Sequence, residues 1–330
     1  MSRNTEIFVI GGGPAGLSAA IVASQLGART LLVDDSARIG GQLIKQTHRF
    51  FGSSNRDAGI RGITIAEMLC KEVKDASDKL TVLENTAAVG FYANKEAGIL
   101  SQDVYERVSY QAAIVCTGAT ENSLAFENND LPGIYGAGGV QTLMNVHGIK
   151  PGRKILMVGS GNIGLIVSYQ LLQAGVEVVG LVEGMPTIGG YLVHASKIRR
   201  LGVPIYTSHT ILRALGETGV EGAVLCRVDE RFQPVPNTEL TIECDCICLA
   251  VGLTPLIDLF QQAQCRMVHV GELGGLVPLH DSAMRTTNPD VFVAGDASGI
   301  EEATTAMLGG RIAGARAFES IHGKSPKAEA

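Results

Sequence analysis

Gly11-Gly12-Gly13-Pro14-Ala15-Gly16 decides how this sequence folds. The hexapeptide follows the apolar run Ile7-Phe8-Val9-Ile10 and opens the alanine-rich segment Leu17 to Leu26, so it reads as strand, tight turn and helix. In that setting Gly11 makes the turn, Gly13 lets backbone N–H groups approach a pyrophosphate, and Gly16 lets the helix pack on the strand. Pro14 and Ala15 open the helix, whose positive end faces the phosphates. A second apolar run, Thr30 to Val33, ends in Asp34-Asp35, where a carboxylate can accept hydrogen bonds from a ribose hydroxyl pair.

The same theme returns later in the chain. Lys154-Ile-Leu-Met-Val158 leads into Gly159-Ser-Gly161-Asn162-Ile163-Gly164, a predicted helix to Ala174, a predicted strand over 176–182, and the acid Glu183. Gly11 to Asp34 is 23 positions and Gly159 to Glu183 is 24. Two dinucleotide-binding units in one chain follow from that spacing. Glu183 stands where the 2′-phosphate of NADP would sit, and Gly184-Met-Pro186 supplies no arginine to counter it, so NAD(H) is expected over NADP(H). Arg199 and Arg200 are expected at the end of a helix, serving its dipole.

Composition narrows the function classes. The 330 residues carry a net charge of -6, which gives no basic footprint for nucleic acid. Forty-one glycines and 5% aromatics fit many tight turns and close backbone approaches. Two uncharged runs, 7–28 and 155–176, are each interrupted by glycines near the start, which suits buried strand and helix better than a membrane span. With no cationic leader before the first run, a cytoplasmic protein without a signal peptide or transmembrane segment is expected. The seven cysteines include no Cys-x-x-Cys pair, so a redox dithiol of that spacing is missing. Cys244, Cys246 and Cys248 alternate and are expected on one face of a single strand over 239–251, as small core residues and not as metal ligands.

Between these landmarks the pattern predicts a turn-rich loop over 38–52 and an amphipathic helix over 60–74. Strands are predicted over 79–92, 98–102 and 104–116, the last running into Cys116-Thr117-Gly118-Ala119. The second unit continues with a predicted helix over 190–201 and strands over 203–207, 211–215 and 223–228. Near the end, Asn288-Pro-Asp-Val-Phe-Val-Ala-Gly295-Asp296 reads as a buried strand ending in Gly-Asp, followed by an Ala/Gly-rich helix over 299–318. That strand needs a sheet to join, and the first unit is its natural host. The fold class is therefore α/β: two Rossmann-like three-layer dinucleotide-binding domains, the second, 131–252, inserted into the first, 1–130 and 253–330.

Gly11–Gly16 with Asp34, Gly40-Gly41-Gln42, Cys116–Ala119, Gly159–Gly164 with Glu183, Ala250-Val-Gly252 and Ala294-Gly-Asp296 together resemble the two-dinucleotide-binding-domain flavoproteins, which include thioredoxin reductase and the pyridine-nucleotide disulfide oxidoreductases. Within them, the stretch Leu131-Pro-Gly-Ile-Tyr-Gly-Ala-Gly-Gly-Val-Gln-Thr-Leu-Met-Asn145 with Gly148-Ile-Lys-Pro-Gly-Arg-Lys154 is similar to the FAD-binding α subunits of heteromeric amino-acid dehydrogenases. Dye-linked proline, hydroxyproline and opine dehydrogenases, sarcosine oxidase and cyanide synthase make up that branch. Many of its members carry an iron–sulfur region; no Cys follows Cys265, so none is expected within these residues.

The resemblance implies FAD at the first unit, with Gly11, Gly13 and Gly16 at the pyrophosphate and Asp34 on the ribose. Asp296, after Gly295, would meet the ribityl or phosphate region. The start of the last helix, Ile300 to Ala303, would aim N–H groups at the flavin N1–C2=O end, or else Glu301 and Glu302 are solvated first-turn acids. Gly41, Gln42, Lys45 and His48 lie in the loop expected beside the flavin ring, Lys45 as a cation that raises its potential and His48 as a proton relay. Thr117, Gly118 and Gly252 complete the expected cofactor-binding set. Hydride transfer between NAD(H) and FAD in an oligomer with a partner subunit is the expected function. A stand-alone NADH oxidase or diaphorase, a reductase of a small protein acceptor and a nucleotide-holding scaffold are the competing readings.

Overall fold

A computed structural model describes residues 2–49, 57–76 and 78–326. The predicted loop over 38–52 is therefore described only as far as Arg49, and Phe50 to Gly52 lie outside the described residues. The chain divides into two compact units, 1–120 with 253–330, and 121–252. Residues 121–130, expected in the first unit, are hydrogen-bonded into the second. Asn122 N–H donates to the Gly252 carbonyl at 3.0 Å, and Glu127 N–H to the Leu212 carbonyl at 3.1 Å.

The first unit is built on a parallel five-stranded sheet in the order Val291–Val293, Ala112–Val115, Ile7–Ile10, Thr30–Val33, Leu80–Leu83. Every residue of the middle strands is buried, because both faces are covered and alternate side chains enter different cores. Ile7, Val9, Leu32 and Ile114 pack with the helices Pro14–Leu26, Gly62–Asp75 and Ala303–His322. Phe8, Ile10, Leu31 and Val115 pack with Ala97, Ile99 and Val108 of a second sheet formed by Ser2–Asn4, Val104–Ser109, Glu96–Ser101 and Thr86–Tyr92. Two predicted strands are each divided. The run over 79–92 breaks at Glu84-Asn85, and the run over 104–116 breaks at Tyr110-Gln111, so each supplies both sheets.

The second unit repeats the plan. Ile134–Gly136, Cys246–Leu249, Lys154–Val158, Glu177–Glu183 and Ile205–Thr207 form a parallel sheet. Its helical face holds Ile155, Met157 and Leu181, and its other face packs Leu156, Val158 and Val182 against the antiparallel sheet His209–Leu215, Gly222–Arg227, Leu240–Glu243.

The three alternating cysteines do not share one face, contrary to expectation. Cys246 and Cys248 face the helical core, whereas Cys244 lies in the opposite one. The strand is interrupted at Asp245, whose carboxylate accepts the Arg153 and Lys154 N–H groups, each at 2.8 Å. Burial pushes the Cys244 and Cys246 thiols up to about 12 and Cys248 well above its usual value. The last helix begins at Ala303 and not at Gly299, since Gly295–Ser298 forms a separate 3-10 turn and Gly299 has φ +143. No helix among the described residues is long and apolar enough to cross a membrane.

Candidate functional site

Both glycine turns are set by backbone crowding. Gly11 and Gly159 take φ +104, and a methyl built on either would collide with the carbonyl just past the end of the neighbouring strand, Cys116 or Ala250. A methyl on Gly16 would strike the Gly11 carbonyl oxygen, and one on Gly164 the Gly159 carbonyl oxygen, so each helix sits directly on its turn. Neither Gly13 nor Gly161 supplies a side-chain cap to the helix it opens. The first N–H groups of Pro14–Leu26 and Asn162–Gln173 therefore present a backbone cradle for phosphate oxygens.

The acids close both turns in the same way. Asp34 Oδ2 accepts the Gly12 N–H at 2.5 Å while Oδ1 accepts the Ser36 N–H at 2.9 Å. Glu183 Oε2 accepts the Ser160 N–H at 3.0 Å and the Ser160 hydroxyl at 2.6 Å, and Oε1 accepts the Met185 N–H at 2.9 Å. Each carboxylate keeps acceptor capacity for a ribose hydroxyl. Asp35 is exposed and accepts the Ser36 hydroxyl at 3.3 Å.

A further copy, unread in the sequence, follows each acid. Ile39-Gly-Gly-Gln-Leu43 and Ile188-Gly-Gly-Tyr-Leu192 both begin five positions after their acid, Asp34 or Glu183. In the first unit Gly40 N–H donates to the Gly12 carbonyl at 2.8 Å, and a methyl on Gly41 would lie 2.6 Å from Gly13 Cα. In the second, Gly190 N–H donates to the Ser160 carbonyl at 2.9 Å, and a methyl on Gly190 would lie 2.9 Å from Asn162 N. Asn162 Oδ1 also accepts the Tyr191 N–H at 2.8 Å. The predicted helix over 190–201 accordingly begins only at Leu192, because Gly189-Gly190 form this clasp. Matching pentapeptides at matching offsets were the signal.

The remaining sites fall as follows. Gln42 is exposed, and Lys45 ends the 3-10 turn Gly41–Lys45. His48 is half-buried in a stretch that pairs with 59–63, where Ile63 N–H donates to the Gln46 carbonyl at 3.0 Å and Arg49 to the Gly59 carbonyl at 2.9 Å. Thr117 donates its hydroxyl to the Leu256 carbonyl at 3.1 Å, and Leu256 N–H returns to Gly118 at 3.0 Å. A methyl on Gly295 would sit 2.9 Å from Ala15 Cβ, which brings the Gly295-Asp296 turn onto the first glycine loop. Asp296 Oδ1 accepts the Glu301 N–H at 3.3 Å, and burial raises its carboxyl above the usual range. Burial, then the nearby Asp296 charge, pushes Glu301 up to about 7. Glu302 is the residue before the helix that starts at Ala303, and Ile163 is 40% exposed on its own helix. Arg199 and Arg200 end the helix Leu192–Arg200.

A family model described as pyridine nucleotide-disulphide oxidoreductase matches residues 5–310. The chain is 27% identical to an opine oxidase subunit of Agrobacterium tumefaciens (strain Ach5), over 96% of this chain and 66% of that one. It is 28% identical to the alpha subunit of sarcosine oxidase from Corynebacterium sp. (strain P-1), over 95% and 32%. Thus it spans from about a third to about two thirds of the length of these two relatives. Among solved structures it is similar in fold to L-proline dehydrogenase from P. horikoshii, at TM-score 0.73 and 20% identity over 99% of this chain and 57% of that one. Thioredoxin reductase from T. acidophilum aligns at TM-score 0.81 and 19% identity, over 97% and 99%.

Proposed function

The chain belongs to the pyridine nucleotide-disulphide oxidoreductase family, and on that premise we propose that it is an FAD- and NAD(H)-dependent oxidoreductase serving as the electron-transfer subunit of a heteromeric amino-acid or hydroxy-acid dehydrogenase. The observation that carries the reading is the doubled cradle, Gly11–Gly16 with Asp34 and Gly159–Gly164 with Glu183. A backbone N–H array beside a ribose-binding acid suits an adenine dinucleotide, and a side chain at Gly11 or Gly159 would collide with the Cys116 or Ala250 carbonyl and displace the turn that forms it. A flavin held in the first unit supplies two-electron chemistry with a nicotinamide as hydride partner.

The chain's own residues have the binding and orienting roles. Gly13, Pro14 and Ala15 present the helix start to the pyrophosphate, Asp34 and Glu183 hold the two riboses, and Asp296 lies at the Gly295 turn against Ala15. Lys45 serves as a cation and His48 as a proton relay in this reading. No nucleophile is required, which agrees with thiols that burial holds protonated. The names of the relatives, which include subunits of an opine oxidase and of a sarcosine oxidase, support a partner subunit that oxidises the substrate.

Anaerobic stopped-flow mixing tests this. NADH is expected to bleach the flavin absorbance of the purified chain, with NADPH at least tenfold slower. Failure of NADH to bleach bound flavin would favour the nucleotide-holding scaffold, and full turnover of NADH with O₂ by the chain alone would favour an oxidase.

A further inference from the structure

Phe232 has no part in the assignment above, yet its setting is specific. Its side chain is 57% exposed and its φ is +59, a left-handed conformation that a bulky residue keeps only when its surroundings hold it there. Asp229 holds it. Oδ1 of that residue accepts the Arg231 and Gln233 N–H groups, both at 2.8 Å, while Phe232 N–H donates to the Asp229 carbonyl at 3.0 Å. The base of the loop is tied to the residues after Glu183: Val228 N–H donates to the Ser208 carbonyl at 2.8 Å, and Ser208 N–H to the Met185 carbonyl at 2.9 Å. The ring consequently lies against Gly184, where an added methyl would be 3.3 Å from Phe232 Cε1.

A fixed, exposed aromatic ring thus stands one residue beyond the ribose-binding acid. A ribose whose hydroxyls meet Glu183 carries its adenine on the same sugar, one glycosidic bond away. We infer that Phe232 is the adenine-stacking residue of the second nucleotide site. This inference rests on reading Gly159–Glu183 as a nucleotide site. Aromatic faces suit the task because a purine presents a π-face that needs no hydrogen-bond match. Gly184 permits it, since any side chain there would press on the ring.

The chain holds no tryptophan, so Phe232→Trp installs a single indole reporter at the position in question. Titrating the flavin-loaded variant with ADP-ribose is expected to quench its emission, whereas nicotinamide mononucleotide, which lacks adenine, leaves it unchanged. By calorimetry Phe232→Ala raises the ADP-ribose Kd about tenfold, Phe232→Tyr stays within about twofold of wild type, and the mononucleotide Kd does not move. Equal ADP-ribose Kd values for wild type and Phe232→Ala, with binding still lost in Glu183→Ala, would overturn the stacking role and leave the nucleotide site standing. Absence of ADP-ribose binding to the wild-type chain would overturn both.

Discussion

At the level of single residues, Glu301 carries a pH signature. Burial and the Asp296 carboxylate raise it from 4.5 to about 7, so the folded chain binds its proton more tightly than the unfolded chain. The stability this contributes is fully present below pH 4.5 and is lost as pH rises through about 7. Glu301→Gln keeps the shape and cannot ionise. Its melting temperature is expected to match wild type near pH 4.5 and to exceed it at pH 8; equal curves at pH 8 would show that Glu301 ionises without cost. The glycines and acids of both turns were legible because turn, helix start and carboxylate are local chemistry. Phe232 was not, because its value comes from Gly184, which lies 48 positions earlier in sequence.

At the level of elements, the helices Pro14–Leu26 and Ala303–His322 meet through glycine. A methyl built on Gly310 would collide with the Ala15 carbonyl, and one on Gly314 with that of Ala19. Gly310→Ala gains about 1 kcal/mol of helix propensity, but overpacking against rigid backbone costs about 1–3 kcal/mol. A collision with main chain, which has no rotamer to yield, belongs at the upper end. The expected net result is a melting temperature several degrees below wild type; a rise would show that the helices separate without cost. Element type was readable from periodicity, whereas element partition was not. The run over 104–116 is apolar throughout much of its length, and nothing local says that residues before Tyr110 join one sheet and those after Gln111 another. The break at Asp245 depends on N–H groups of Arg153 and Lys154, about ninety positions away, so the three alternating cysteines suggested a continuous strand.

For the molecule as a whole, the seven thiols give a test of the core packing in both units. Six are buried and only Cys70 is half-exposed, with burial raising its pKa against the lowering effect of Arg38 and Lys74. A thiol-reactive dye at pH 8 is expected to label at most one site per native chain and seven after unfolding. Rapid labelling of two or more native thiols would contradict the packing of the cysteine strand. The plan of two doubled turns was legible because the motif occurs twice; its full extent lies in the fold of Gly190 onto Asn162, which is not a local feature of the sequence. That longer duplication has a consequence for molecular discrimination. If both turns hold an adenine dinucleotide, as proposed, two seats cut from one template invite the wrong guest, since their shared glycine backbone offers no means of telling one adenylate from another. Under the proposed assignment, selectivity must then reside where the copies diverge: Gly12 against Ser160, Pro14 against Asn162, Ala15 against Ile163, Asp34 against Glu183, Gln42 against Tyr191. Exchanging those five pairs, and not the glycines the copies share, is the route by which one seat would be taught the other's preference.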